Sequence, residues 1–104
     1  MPEYSERFKE DVLRSAAGKS QRTIAEKMRV SQTTVSNMQY GRIPADLELV
    51  RRFALAVGED PDAWVRRARL YREEAHLRDL GYLSDDAVKE ILAVMEREEE
   101  RHRR

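Results

Sequence analysis

Four small polar side chains, Gln32, Thr33, Ser36 and Asn37, lie within the short stretch QTTVSN. At these spacings a helix puts all four on one side. Glutamine and asparagine each hold a donor and an acceptor in one amide, which matches the paired edge of adenine, while a threonine methyl suits the methyl of thymine. Near the N-terminal end of a helix, such a set is equipped to read base edges in a major groove of double-stranded DNA. Gln21 opens the preceding helical pattern and sets its amide beside unsatisfied backbone N–H groups, a favourable place for a phosphate. Arg22, Tyr40 and Arg42 flank the same face as further phosphate donors. Affinity is expected from these backbone contacts and sequence choice from the four polar residues.

Other chemistries find little support. There is no cysteine, so disulfides and thiolate chemistry are excluded. His76 and His102 are too far apart in sequence to form a local metal site. The carboxylates at 96–100 belong to a charged tail without an apolar pocket that could shift a pKa. With no nucleophile–base pair, metal-ligand spacing or phosphate loop, the expectation is a protein without enzymatic activity, metal or cofactor.

The chain has 104 residues and a formal net charge of zero, which hides an uneven distribution. In residues 20–44 four basic side chains, Arg22, Lys27, Arg29 and Arg42, face the single acid Glu26, whereas from residue 60 onward acids slightly outnumber bases. A basic segment is therefore compensated by the C-terminal half. No apolar run approaches bilayer length and the N-terminus has no signal-peptide pattern, so no membrane association and a cytoplasmic location are expected.

The elements that must position the polar set are helices, because apolar periodicity is helical almost throughout. A first helix is predicted over 5–17, with Phe8, Val12, Leu13 and Ala16 on one side and Gly18 ending it. Ser20 caps a second helix carrying Ile24, Ala25 and Met28, and Ser31 caps a third that carries Val35 and Met38 and stops at Gly41. Ile24, Ala25, Met28, Val30, Val35 and Met38 then form the buried seam between these two. A fourth helix is expected to turn Leu49, Val50, Phe53, Ala54 and Val57 inward, closed by Gly58. Asp60 and Pro61 open a fifth over 61–80, with Trp64, Ala68, Tyr71 and Ala75 on one face and Leu70 and Leu77 on another. Gly81 breaks it. Ser84 starts a sixth, and the charged end beyond Met95 is expected to fray or project into solvent.

The stretch SQRTIAEKMRVSQTTVSNMQYGRIP resembles the Cro and C-repressor-like (XRE-type) helix-turn-helix regulators of bacteria and phages. The residues that carry the resemblance are Gln21, Ala25, Val30, Ser31, Thr34, Val35, Ser36, Gly41 and Pro44. It implies an all-α, five-helix lambda-repressor-like DNA-binding domain over 1–68 with a C-terminal helical extension over 69–104, and a recognition helix at about 32–40. It also implies base contacts from Gln32, Thr33, Ser36 and Asn37, and phosphate contacts from Gln21, Thr34, Tyr40 and Arg42. Two positions depart from the family pattern: Arg29 stands where the turn usually has glycine, and Gln39 replaces a frequent glutamate, removing a local ion pair. A nucleoid-associated regulator is the implied setting.

One helix-turn-helix reads one half-site, so a homodimer on a two-fold operator is expected. Leu70 and Leu77 of the fifth helix with Val88, Ile91, Leu92 and Met95 of the sixth offer a self-complementary dimerisation patch; the alternative is that the sixth helix folds back on its own domain. Two functional readings follow. The first is a transcriptional regulator, a repressor that occludes a promoter. The second is an antitoxin-type interaction protein, whose C-terminal helices bind a protein partner while the same DNA-binding domain autoregulates.

Overall fold

Short polar side chains set most of the helix starts. In the computed structural model, which describes residues 3–102 without the side chains of Glu99 and His102, β1 (Glu3–Tyr4) leads directly into α1 (Glu6–Ala16), where the Ser5 hydroxyl accepts from the Phe8 N–H. Ser20 does the same for α2 (Gln21–Met28) and Ser31 for α3 (Gln32–Gln39), accepting from Thr23 and Thr34. Each such cap satisfies one of the orphan N–H groups of a helix start. After β2 (Arg42–Ile43), α4 (Glu48–Val57) starts with Asp46 accepting from the Glu48 N–H at 3.0 Å. Asp60 with Pro61 opens α5 (Pro61–Asp79), and Ser84 accepts from Ala87 at the start of α6 (Asp85–His102).

The five N-terminal helices enclose one core, built from Phe8, Val12, Ile24, Met28, Val35, Met38, Val50, Phe53, Trp64 and their neighbours. Trp64 sits at its centre, edge-on to Phe8 at 6.4 Å and to Phe53 at 5.1 Å between centroids. Its indole N–H donates to Glu59 at 3.1 Å, which satisfies the one polar atom this side chain buries. Ala25, Ala54 and Ala68 are buried as well, and their small side chains allow close approach of the helices. Leu13, expected on the inner side of α1, is 45% exposed. The buried places on that turn are taken by Asp11 and Ser15 instead, because Tyr71 of α5 donates to the Asp11 carboxylate at 2.6 Å.

The helical fold class holds, with one addition. β1 and β2 pair antiparallel, Glu3 opposite Ile43 and Tyr4 opposite Arg42, so the N-terminal residues are joined to the strand that follows α3. Gly41 makes the approach feasible. Its φ is +100°, and a Cβ there would stand 2.9 Å from the Ser5 carbonyl oxygen and 2.9 Å from the Tyr4 ring.

The sixth helix turns back on the fifth. Leu70, Val88 and Leu92 form a second, smaller cluster with Leu77, Leu83 and Met95 packed against it, and Arg78 closes the turn with ion pairs to Asp85 at 2.8 Å and Glu74 at 3.2 Å. Val88 is 1% and Leu92 5% exposed. Five of the six residues read as a dimerisation patch are thereby packed within one chain, and only Ile91 of that set faces outward. Of the two outcomes expected for the end of α6 it takes the second: it stays helical to His102, and its described side chains beyond Met95 are exposed to solvent. Glutamate and arginine are good helix formers, and an i,i+3 pair such as Glu98 with Arg101 adds a little more.

Candidate nucleic-acid interface

The corner between α2 and α3 takes only three residues, and its first, Arg29, adopts φ 59° and ψ 46°. Among the described residues it is the one non-glycine residue at positive φ. The geometry is that of a left-handed helix end: the Arg29 N–H reaches the Glu26 carbonyl at 3.2 Å and the Val30 N–H reaches that of Ala25 at 3.0 Å. The turn position that the sequence leaves without glycine therefore keeps the left-handed conformation despite its side chain. Arg52 of α4 reaches across to donate to the Met28 carbonyl at 3.4 Å, giving one of the last α2 carbonyls a partner. Beneath the corner, Ile24, Ala25, Met28, Val35 and Met38 are buried and Val30 is packed against them, as the periodicity required.

With its inner side so held, α3 presents the rest outward. Gln32 and Thr33 are exposed and Ser36 and Asn37 half-buried, on the same helix and free of side-chain hydrogen bonds among the described residues. Tyr40, at the C-terminal end, is 67% exposed, and Arg42 is exposed on β2. Thr34 has another engagement: its N–H and hydroxyl both lie against the Ser31 hydroxyl, at 3.3 Å and 3.2 Å, so it completes the helix cap and is half-buried. Arg22 is exposed and only loosely paired with Glu26 at 3.3 Å, a surface contact worth little that leaves its guanidinium available.

A family model described as a helix-turn-helix domain matches residues 12–64, just over half of the chain, from within α1 to the first turn of α5. The chain belongs to the helix-turn-helix domain family. Searches of curated proteins and of solved structures each return no significant match.

Membership supports a DNA-binding regulator, and it gives roles to two helices: α2 braces, α3 is carried on it. The helix-turn-helix is tied together at its far side by Gln21, whose amide donates to the Gln39 side chain at 2.5 Å. In place of an ion pair at position 39, an amide–amide hydrogen bond joins the start of α2 to the last turn of α3. Gln21 is therefore partly occupied as a brace, and its backbone N–H at the helix start is the group left for a phosphate.

Sequence reasoning missed the clamp behind the helix-turn-helix. Arg72 of α5 donates to the carbonyls of Pro44 at 2.5 Å and Ala45 at 3.2 Å, and its guanidinium also meets Glu3 at 2.6 Å. His76, one turn on, meets the other Glu3 oxygen at 2.5 Å. No motif singles out Arg72, and His76, whose side chain is 57% exposed, enters the sequence reading only as a candidate metal ligand. In the fold they fasten both β1 and the loop after α3 to α5. Residues 3, 44 and 72 are far apart in sequence, and no local pattern signals their meeting. An open groove of about 690 Å³ runs between this clamp and α3, with Thr34, Asn37, Arg42 and His76 among its walls.

Elsewhere α5 is fixed to α1 by charge as well as by packing. The Tyr71 hydroxyl is pushed up to about 12, first by burial and then by its hydrogen bond to Asp11. Arg7 lies over the Tyr71 ring and Arg67 over Trp64, at 5.0 and 4.9 Å from the centroids. Both aromatic residues are core, as their helical spacing indicated. Among the described residues no cluster of His, Asp or Glu could hold a metal ion, and no helix is long and apolar enough to cross a membrane.

Proposed function

We propose that the chain is a sequence-specific transcriptional regulator of the Cro and C-repressor-like kind, binding a palindromic operator as a homodimer and repressing by occluding a promoter. The carrying observation is the outward polar face of a buried-side-braced helix: Gln32, Thr33, Ser36 and Asn37 stand together on α3 with their hydrogen-bonding groups uncommitted. Entering a major groove, they would read bases. Arg22, Tyr40, Arg42 and the N-terminal amides of α2 would meet phosphates on either side, with Thr34 contributing through the capped first turn. No catalytic step belongs to this reading.

Selection of duplexes from a random pool tests the reading. The wild-type chain is expected to enrich one motif, and Gln32→Ala and Asn37→Ala to relax it at particular base positions, each by about 1–3 kcal/mol of discrimination. Arg42→Ala is expected to weaken all duplexes alike and to lower the salt dependence by about one counterion. A pool that enriches nothing would overturn the proposal.

A further inference from the structure

Ile91 and Val94 form a short stripe along α6, with half-buried Ala87 one turn before them, and among the described residues it is left largely uncovered: Ile91 is 36% and Val94 50% exposed. At ~100° per residue this stripe lies ~90° around the helix from the Val88, Leu92 and Met95 seam that packs on α5. The flank opposite the stripe, with Lys89, Ala93 and Glu96, borders a groove shared with α1 and β1. The stripe thus faces away from α1 and β1. The four-then-three spacing of a helix that meets another helix runs from Ala87 through Ile91 to Val94, and the charged Glu98 and Arg101 follow in the same register.

We propose that this face docks a second copy of the chain, α6 against α6 in antiparallel orientation. The proposal rests on the dimeric reading above and names the surface that reading requires. Charge decides both occupant and direction. With Ile91 set against the partner's Val94, Glu90 stands opposite the partner's Arg97, and two-fold symmetry repeats the pair. Glu98 then faces the partner's Ala87, and Arg101 comes to the acidic start of the partner's helix at Asp85 and Asp86. A parallel pairing would instead stack Glu98 on Glu98 and Arg101 on Arg101. Glu90 and Arg97 are exposed and neither has an ion-pair partner among the described residues; Arg97 is held only by a long hydrogen bond of 3.4 Å to the Ala93 carbonyl, which a second copy can replace.

Size fixes the strength. An 18-residue helix is about 27 Å long and its contact strip about 10 Å wide, well under the ~800 Å² per partner of a standard interface. The association is therefore weak by itself, on the order of 10–500 µM. Two half-sites on one duplex supply the effective concentration that completes it.

Sedimentation equilibrium of the full chain, with anisotropy titration of a labelled single half-site duplex, tests this. The wild type is expected to dimerise in the stated range. Val94→Glu is expected to stay monomeric with unchanged helical circular dichroism and unchanged half-site affinity. Glu90→Arg alone is expected to weaken the dimer roughly fivefold or more by setting like charges together, and Glu90→Arg with Arg97→Glu to restore it. A wild type that is monomeric at about 1 mM, a Val94→Glu chain that still dimerises, or a double swap no better than the single would each overturn the docking surface. Half-site binding reports separately on the DNA reading, because one half-site needs one copy.

Discussion

Replacing Arg29 by glycine isolates the cost of the corner between α2 and α3. At φ 59° and ψ 46° an L-residue meets its own carbonyl oxygen through Cβ, a penalty of about 1–2 kcal/mol that glycine escapes. Glycine gives back part of this through the greater freedom of its unfolded chain, about 0.5–1 kcal/mol. No ion pair or side-chain hydrogen bond of Arg29 among the described residues would be lost with it. The net expectation for Arg29→Gly is a gain of about 0.5–1 kcal/mol. For a chain of this length that corresponds to a rise in Tm of roughly 2–6 °C. Differential scanning calorimetry with urea titration measures it, and Arg29→Ala is the control, since it removes the same side chain but keeps Cβ and is expected to give no gain. The reasoning is refuted if the glycine variant is no more stable than the alanine variant, because then the backbone conformation was not what the side chain opposed.

Three other perturbations follow from the packing. Gly41→Ala puts a Cβ against the Ser5 carbonyl oxygen at positive φ, and chemical denaturation should show a loss of about 2–3 kcal/mol together with loss of the β1–β2 pairing in amide exchange. Tyr71→Phe removes the hydrogen bond to the buried Asp11 carboxylate, for about 1–2 kcal/mol at neutral pH. The tyrosine's raised value also means that its stabilisation is whole below pH 10 and is lost as pH rises toward 12, so alkaline titration of stability should flatten in the variant. Glu59 is held below the ordinary carboxylate value, first by its hydrogen bond with Ser15 and also by that from Trp64. Its contribution is present above the ordinary value of 4.5 and fades as pH falls through the lowered one, so Glu59→Gln should reduce the acid-side slope of stability.

How far the sequence spoke depended on whether the controlling contact was local. Ser20, Ser31, Asp60 and Ser84 each act on an N–H two or three residues away, and the helix starts they mark are found in place. The seam from Ile24 to Met38 was legible because helical spacing fixes which side of a helix is buried. The strand pair was not, since two residues carry no periodicity and their pairing depends on α1 bringing Glu3 to Ile43. The exposure of Leu13 was hidden for a similar reason: Tyr71, sixty positions beyond Asp11, draws a carboxylate inward on α1. In α6, an apolar stripe says that a face is covered without saying by what, and Val88 and Leu92 turned out to be covered by Leu70 of the same chain. At the candidate interface, the identity of the outward residues was readable, but the ties of Gln21 to Gln39 and of Arg72 to Pro44 were not.

The proposed recognition helix, α3, is fastened at both ends. Its start is set by the Arg29 corner under Arg52, and its end by Gln39, β2 and the Arg72 clamp. A reader so held has little conformational freedom to give up on meeting a duplex, and equally little ability to adjust. In any complex the accommodation would fall on the DNA, so the stiffness and groove width of base pairs that α3 never touches would enter the choice of operator alongside the bases it reads.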